Sequence, residues 1–212
     1  MRRIVVTTVF IVLAFASNAQ SYKRNPSENN EDFIKRSFSL EDLRYPVKRI
    51  KSWDSTKELL IYLSDFQGQY NSTEQVCYLL TPTDSNSYRR TLIDTLWGEG
   101  GENEKQIDTI FFTNADKDKE PELIIMLKAE AHSPRFADND VEGYYYQTSI
   151  YDTPNLILPK PKLTYLKDIS QKFDEELEGK VYNSKSGHLL RREHAKYKTA
   201  KAVIALLKNM GY

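Results

Sequence analysis

From Trp53 to Asp152 the apolar residues fall in short runs: Leu59 to Leu63, Val76 to Leu80, Leu92 to Trp97, Ile107 to Phe112, Leu123 to Leu127 and Tyr144 to Tyr151. Turn-rich pieces such as Asp84-Ser85-Asn86-Ser87 and Gly98-Glu99-Gly100-Gly101 separate them. β-branched and aromatic runs of this length, bounded by Gly, Asn, Asp and Ser, predict strands, and their close succession predicts an antiparallel meander. The segments 90–96 and 148–151 show the mixed alternation of half-buried strands. Pro154, Pro159 and Pro161 then exclude both helix interior and central strand, so residues 155–162 read as a connector. Beyond it, Leu166, Ile169, Phe173 and Leu177 recur at helical spacing, as do Ala200, Val203, Ile204 and Leu207, with Gly211 placed to stop the second run. The expected fold class is α+β: an antiparallel β-meander with one β-loop-β turn of calcium-binding type, followed by two C-terminal helices. A single domain over residues 33–212 is expected, β-rich over 53–152 and helical over 163–212. No repeat of propeller or solenoid period is present.

The N-terminal pattern differs. Met1-Arg2-Arg3 is basic, Ile4 to Ala16 is apolar, and Ser17-Asn18-Ala19 offers small residues, the arrangement of a signal peptide over residues 1–19. The apolar run is shorter than the roughly 20 residues of a membrane span, and no Cys lies near the expected cleavage point for lipid attachment. The Ala19-Gln20 junction is similar to those of Gram-negative secreted proteins. The expected location is therefore periplasmic or secreted, with no stable membrane insertion after cleavage. Residues 20–32 are rich in Ser, Asn, Glu and Lys and read as a disordered leader.

Charge removes one class of function. The formal net charge is 0, and loss of Arg2 and Arg3 with the leader makes it −2, which argues against a nucleic-acid partner. Lys180 to Tyr212 is locally basic, with eight Lys or Arg against the acid Glu193, and either meets an acidic partner or lies against acidic loops of the same molecule. Cys77 is the only cysteine, so an intrachain disulfide is excluded; within Val76-Cys77-Tyr78-Leu79-Leu80 it reads as a buried apolar group rather than a nucleophile. His132, His188 and His194 make no HExxH-type pair, and Gly-rich phosphate loops and Gly-x-Ser-x-Gly elbows are missing. The sequence nominates no catalytic residue, and the leading expectation is a binding protein rather than an enzyme.

The strongest chemical signal is Asn114-Ala115-Asp116-Lys117-Asp118-Lys119-Glu120-Pro121-Glu122, which puts oxygen-bearing side chains at every second position between two strand-like runs. Calcium takes six to eight oxygen ligands, and a tight loop provides them from positions 1, 3 and 5, a carbonyl at 7 and an acid downstream. The expected ligands are Asn114, Asp116, Asp118, Glu120 and Glu122, with calcium as the ion. An EF-hand would need Gly at position 6, Glu at position 12 and flanking helices; here those positions hold Lys119 and Ile125. Through Asn114, Asp116, Asp118, Glu122 and Leu123 the loop resembles those of FG-GAP and VCBS repeats, a resemblance that implies a strand-loop-strand calcium site closed by the acid at position 9. Asn114 stands where the first carboxylate is usual and Lys119 where Gly is usual, changes that lower the affinity the resemblance implies. The alternative is a turn held by Asn and Asp side chains bonded to backbone, without metal.

A second acidic patch, Asp138 to Glu142, precedes Tyr144-Tyr145-Tyr146. Three successive tyrosines in a strand put at least one ring on the solvent face. There it serves a protein partner, stacks on a cell-wall glycan, or covers the sheet. Signal peptide, compact sheet, FG-GAP-like loop and Tyr-rich strand together resemble periplasmic immunity proteins that inhibit peptidoglycan hydrolases, which implies a protein partner. The competing expectation is a cell-envelope glycan-binding protein or hydrolase that uses the acidic loops and tyrosines.

Overall fold

The computed structural model describes residues 20–43, 45–51, 58–67, 73–96, 105–118, 120–131, 138–152 and 163–212. The expected signal peptide, the proline connector, His132 and Lys119 lie outside them.

All six predicted runs fall in strands, the third as far as Leu96, with Trp97 and the expected turn at 98–101 outside the described residues. In chain order the elements are β1 (Ser21–Lys23), α1 (Asn30–Phe38), β2 (Lys48–Lys51), β3 (Glu58–Gln67), β4 (Thr73–Pro82), β5 (Ser87–Leu96), β6 (Gln106–Thr113), β7 (Glu122–Glu130), β8 (Asn139–Asp152), β9 (Thr164–Tyr165), α2 (Lys167–Ser170) running into a 3₁₀ turn Gln171–Phe173, β10 (Glu176–Asn183), β11 (Leu189–Glu193) and α3 (Ala200–Asn209). The strands make two antiparallel sheets rather than one meander, in the orders β1-β5-β4-β3-β2 and β11-β10-β8-β7-β6, with β9 on β8.

The two sheets pack face to face. Leu59, Ile61, Leu63, Cys77, Leu79 and Ile93 from the first meet Ile107, Leu123, Ile125, Leu127 and Tyr151 from the second. The alternate residues of the same strands are also covered. Leu60, Tyr62, Leu80 and Tyr88 lie under Phe33 and Ile34 of α1, and Ile124, Met126 and Ile150 lie under Phe173 and the α3 residues Val203 and Leu207. The order of layers is thus helix, sheet, sheet, helix. It explains why Leu59–Leu63 and Leu123–Leu127 are continuously apolar: both faces of these strands are buried. Cys77 is fully buried in this core, as its apolar neighbours predict, and burial pushes its thiol well above the ordinary range.

Two expectations need correction. Residues 20–32 are not a disordered leader. β1 pairs with the edge of β5, Tyr22 opposite Tyr88, and α1 starts at an Asn29 cap whose side chain accepts the Asp32 N–H. Glu28 binds Arg36 at 2.7 Å, which holds its carboxyl well down, to about 2. Backbone pairing, capping and a charged fork order this segment, so its polar composition is no guide. The C-terminal part is also not a pair of helices. The 166–177 spacing sustains only α2 and its 3₁₀ turn, and Leu177 belongs to the β10–β11 hairpin. Asn183 closes that hairpin by accepting from the backbone of Lys185 and Ser186, and Gly187 supplies the positive φ of 65°. Among the described residues no helix is long and apolar enough to cross a membrane.

Candidate metal centre

The β6–β7 turn lies over the outer face of the second sheet, where Ala115 is buried with Ile124, Ile150 and α3. This anchor fixes the loop that follows. The Asp116 carboxylate accepts the Asp118 N–H at 2.8 Å, and Asp118 accepts the Glu120 N–H at 2.9 Å, two successive Asx turns that curl the chain around the carboxylates. Asn114 Nδ2 donates to the Asp118 carbonyl at 2.8 Å and closes the curl. At the start of β7, Glu122 accepts the N–H of Ala115 from across the loop.

Asp116, Asp118 and Glu122 each bring one oxygen within 4.8 Å of the others, the one such group among the described residues. Oxygens bound to one calcium lie about 2.3 to 2.6 Å from it, so their mutual separations fit a shared ion. The donor set is oxygen only, as a hard cation requires.

Three side-chain oxygens here are buried without a hydrogen-bond donor: Asn114 Oδ1, Glu122 Oε1 and Asp152 Oδ1. Glu122 is 0% exposed. An unpaired buried acceptor costs about 1 to 3 kcal/mol, more when charged, so three around one loop require compensation. Burial raises the Glu122 carboxyl to about 7, against the Ala115 N–H that favours its charged form, and Asp116 and Asp118 push it further up. The Asp152 carboxyl is also raised, first by burial and then by Asp118, Asp116 and Glu120.

Of the expected ligands, Asp116, Asp118 and Glu122 converge and Asn114 adds an unpaired oxygen beside them, whereas the Glu120 side chain is exposed. Asp152 gave no sign in the sequence, because it lies 30 positions after Glu122 and only strand pairing brings it near. The second acidic patch, at the opposite end of β8, forms no such group; Glu142 binds Lys180 at 3.3 Å and the Tyr182 hydroxyl at 2.9 Å. Lys198 pairs with Glu178 and Arg191 with Glu193, so part of the basic C-terminal charge answers acids of its own sheet. His188 and His194 are exposed, the latter 3.4 Å from Glu178.

No protein-family model, curated protein or solved structure matches the chain.

Proposed function

We propose that this protein is a calcium-stabilised binding module that acts in the periplasm or outside the cell and recognises a protein partner, with inhibition of a cell-wall hydrolase as its activity. The observation that carries this reading is the fully buried Glu122, which keeps one oxygen without a donor and brings a carboxylate oxygen within 4.8 Å of those of Asp116 and Asp118, in a loop curled around them by two Asx turns. With its carboxyl raised to about 7, Glu122 is only partly protonated at neutral pH, and a divalent ion offers the ionised form a partner. Extracellular calcium modules work at about 10⁻⁴ to 10⁻³ M, so a loop with Asn at position 1 suffices outside the cell.

Recognition is assigned to the same end of the molecule. Tyr165, 43% exposed, pairs with Tyr151 one residue from Asp152, and exposed tyrosine beside an ordered loop is a favourable anchor for a protein surface. A second reading, binding of a cell-envelope glycan, draws on Tyr144, which is 41% exposed. The Lys128 ammonium 3.9 Å from the centre of that ring covers one face against sugar stacking, which favours the protein partner.

The test is capture on immobilised residues 20–212 from envelope extracts, with calcium or with chelator, followed by a peptidoglycan digestion assay. A hydrolase held only with calcium and inhibited by the added protein supports the proposal. Sedimentation of the purified protein with peptidoglycan, without inhibition of any captured hydrolase, favours the glycan reading and overturns this one.

A further inference from the structure

The ladder between β7 and β8 ends at Leu123 opposite Tyr151, after Ile124 opposite Ile150. Side chains two apart on a strand share a face, so Glu122 and Asp152 continue the outer face that carries Ile124 and Ile150. That is the face on which the β6–β7 loop lies. Asp152 is held there by strand pairing on its other side, with Tyr151 opposite Tyr165 and Asp152 opposite Thr164. Its Oδ1 is buried without a donor, as is the free oxygen of Glu122. Tyr151, the preceding residue, points the opposite way, into the core between the sheets.

We infer that Asp152 is a ligand of the same cation, so that the ion cross-links the β6–β7 loop to the last residue of β8. This rests on the calcium reading of the loop and extends it from a local turn to a site shared by elements 30 residues apart. Asp116, Asp118 and Glu122 already lie within 4.8 Å of one another; Asp152 stands outside that close group and is drawn in by the ion as a fourth carboxylate, so that with Asn114 five side-chain oxygens are offered when each residue contributes one. This satisfies most of calcium's six to eight oxygen ligands without Glu120. Asp152 also restores the carboxylate that the loop lacks at Asn114. A strand-borne ligand is held more precisely than a loop-borne one, which suits the residue that closes the site.

The experiment is calorimetric titration of residues 20–212 with calcium chloride, on the wild type and on Asp152→Asn, Asp152→Ser, Asp116→Asn and Asp138→Asn, with melting curves in chelator to establish that each variant is folded. Asp138 is exposed and lies outside the site, so its variant should bind like the wild type. Both Asp152 variants should bind about tenfold more weakly or worse. In chelator they should melt no lower than the wild type, because they remove repulsion from Asp116 and Asp118; a merely structural Asp152 would instead lower the melting point in chelator and leave affinity intact. Wild-type affinity in both folded Asp152 variants, with binding lost in Asp116→Asn, overturns the role of Asp152 and leaves the loop site standing. Absence of binding by the wild type overturns both.

Discussion

The Tyr151 hydroxyl donates to Asp94 Oδ2 at 2.7 Å, tying β8 of one sheet to β5 of the other across the central core. Burial raises the Tyr151 hydroxyl far above its usual range, and Asp94 adds to the rise, so the phenol stays protonated and remains the donor. The next residue is Asp152. One strand end thus faces the inter-sheet core on one side and the carboxylate cluster on the other, which makes the candidate metal site continuous with the packing of the two sheets.

Tyr151→Phe keeps the ring and removes only this donor. Asp94 then retains the Thr95 N–H on its other oxygen and loses its partner across the sheets. The expected loss is about 1 to 3 kcal/mol, read as a lower urea midpoint at unchanged m-value. An unchanged midpoint would show that the sheets are held by apolar contact alone.

The metal-free protein should lose stability as pH rises from about 4.5 to 7. In that interval the unfolded chain has released the Glu122 proton while the folded chain, with its carboxyl raised to about 7, still holds it. Unfolding therefore releases a proton, and stability falls with pH until both states are ionised. The loss from this group is at most about 3 kcal/mol. Glu122→Gln in chelator should flatten the dependence, as measured by denaturant titration across the interval. A wild-type curve with the same slope as Glu122→Gln would remove Glu122 as its source.

Gly143 and Gly179 face one another between β8 and β10. A Cβ on Gly179 would lie 2.1 Å from the Glu142 carbonyl oxygen, and one on Gly143 2.2 Å from the Glu178 carbonyl oxygen. Gly143 also has φ +143°, a conformation that side chains disfavour. Each Ala substitution should destabilise by about 1 to 3 kcal/mol, Gly143→Ala the more strongly. Equal melting temperatures for Gly143→Ala and wild type would contradict this close approach of the strands.

The strands were legible because burial on both faces leaves continuous apolar runs at 59–63 and 123–127. The carboxylate cluster was legible too, since Asp116, Asp118 and Glu122 are local in sequence. What was hidden depends on partners far along the chain. Ser21–Lys23 is a strand only because β5 offers it an edge, and Leu177 continued a helical spacing that the hairpin turn at Asn183 overrides. Asp152 became visible only when pairing of β8 with β7 brought it to the loop.

The most direct measurement is the melting temperature of residues 20–212 in saturating calcium and in chelator, for wild type and for Asp116→Asn with Asp118→Asn. If the carboxylates hold the ion in the folded state alone, calcium at 100 times Kd should stabilise the wild type by about 2.7 kcal/mol, roughly 5 to 10 °C, and leave the double variant unmoved. Superimposable wild-type curves with and without calcium, up to millimolar concentration, would contradict the account and leave 114–122 a turn held by its own side chains.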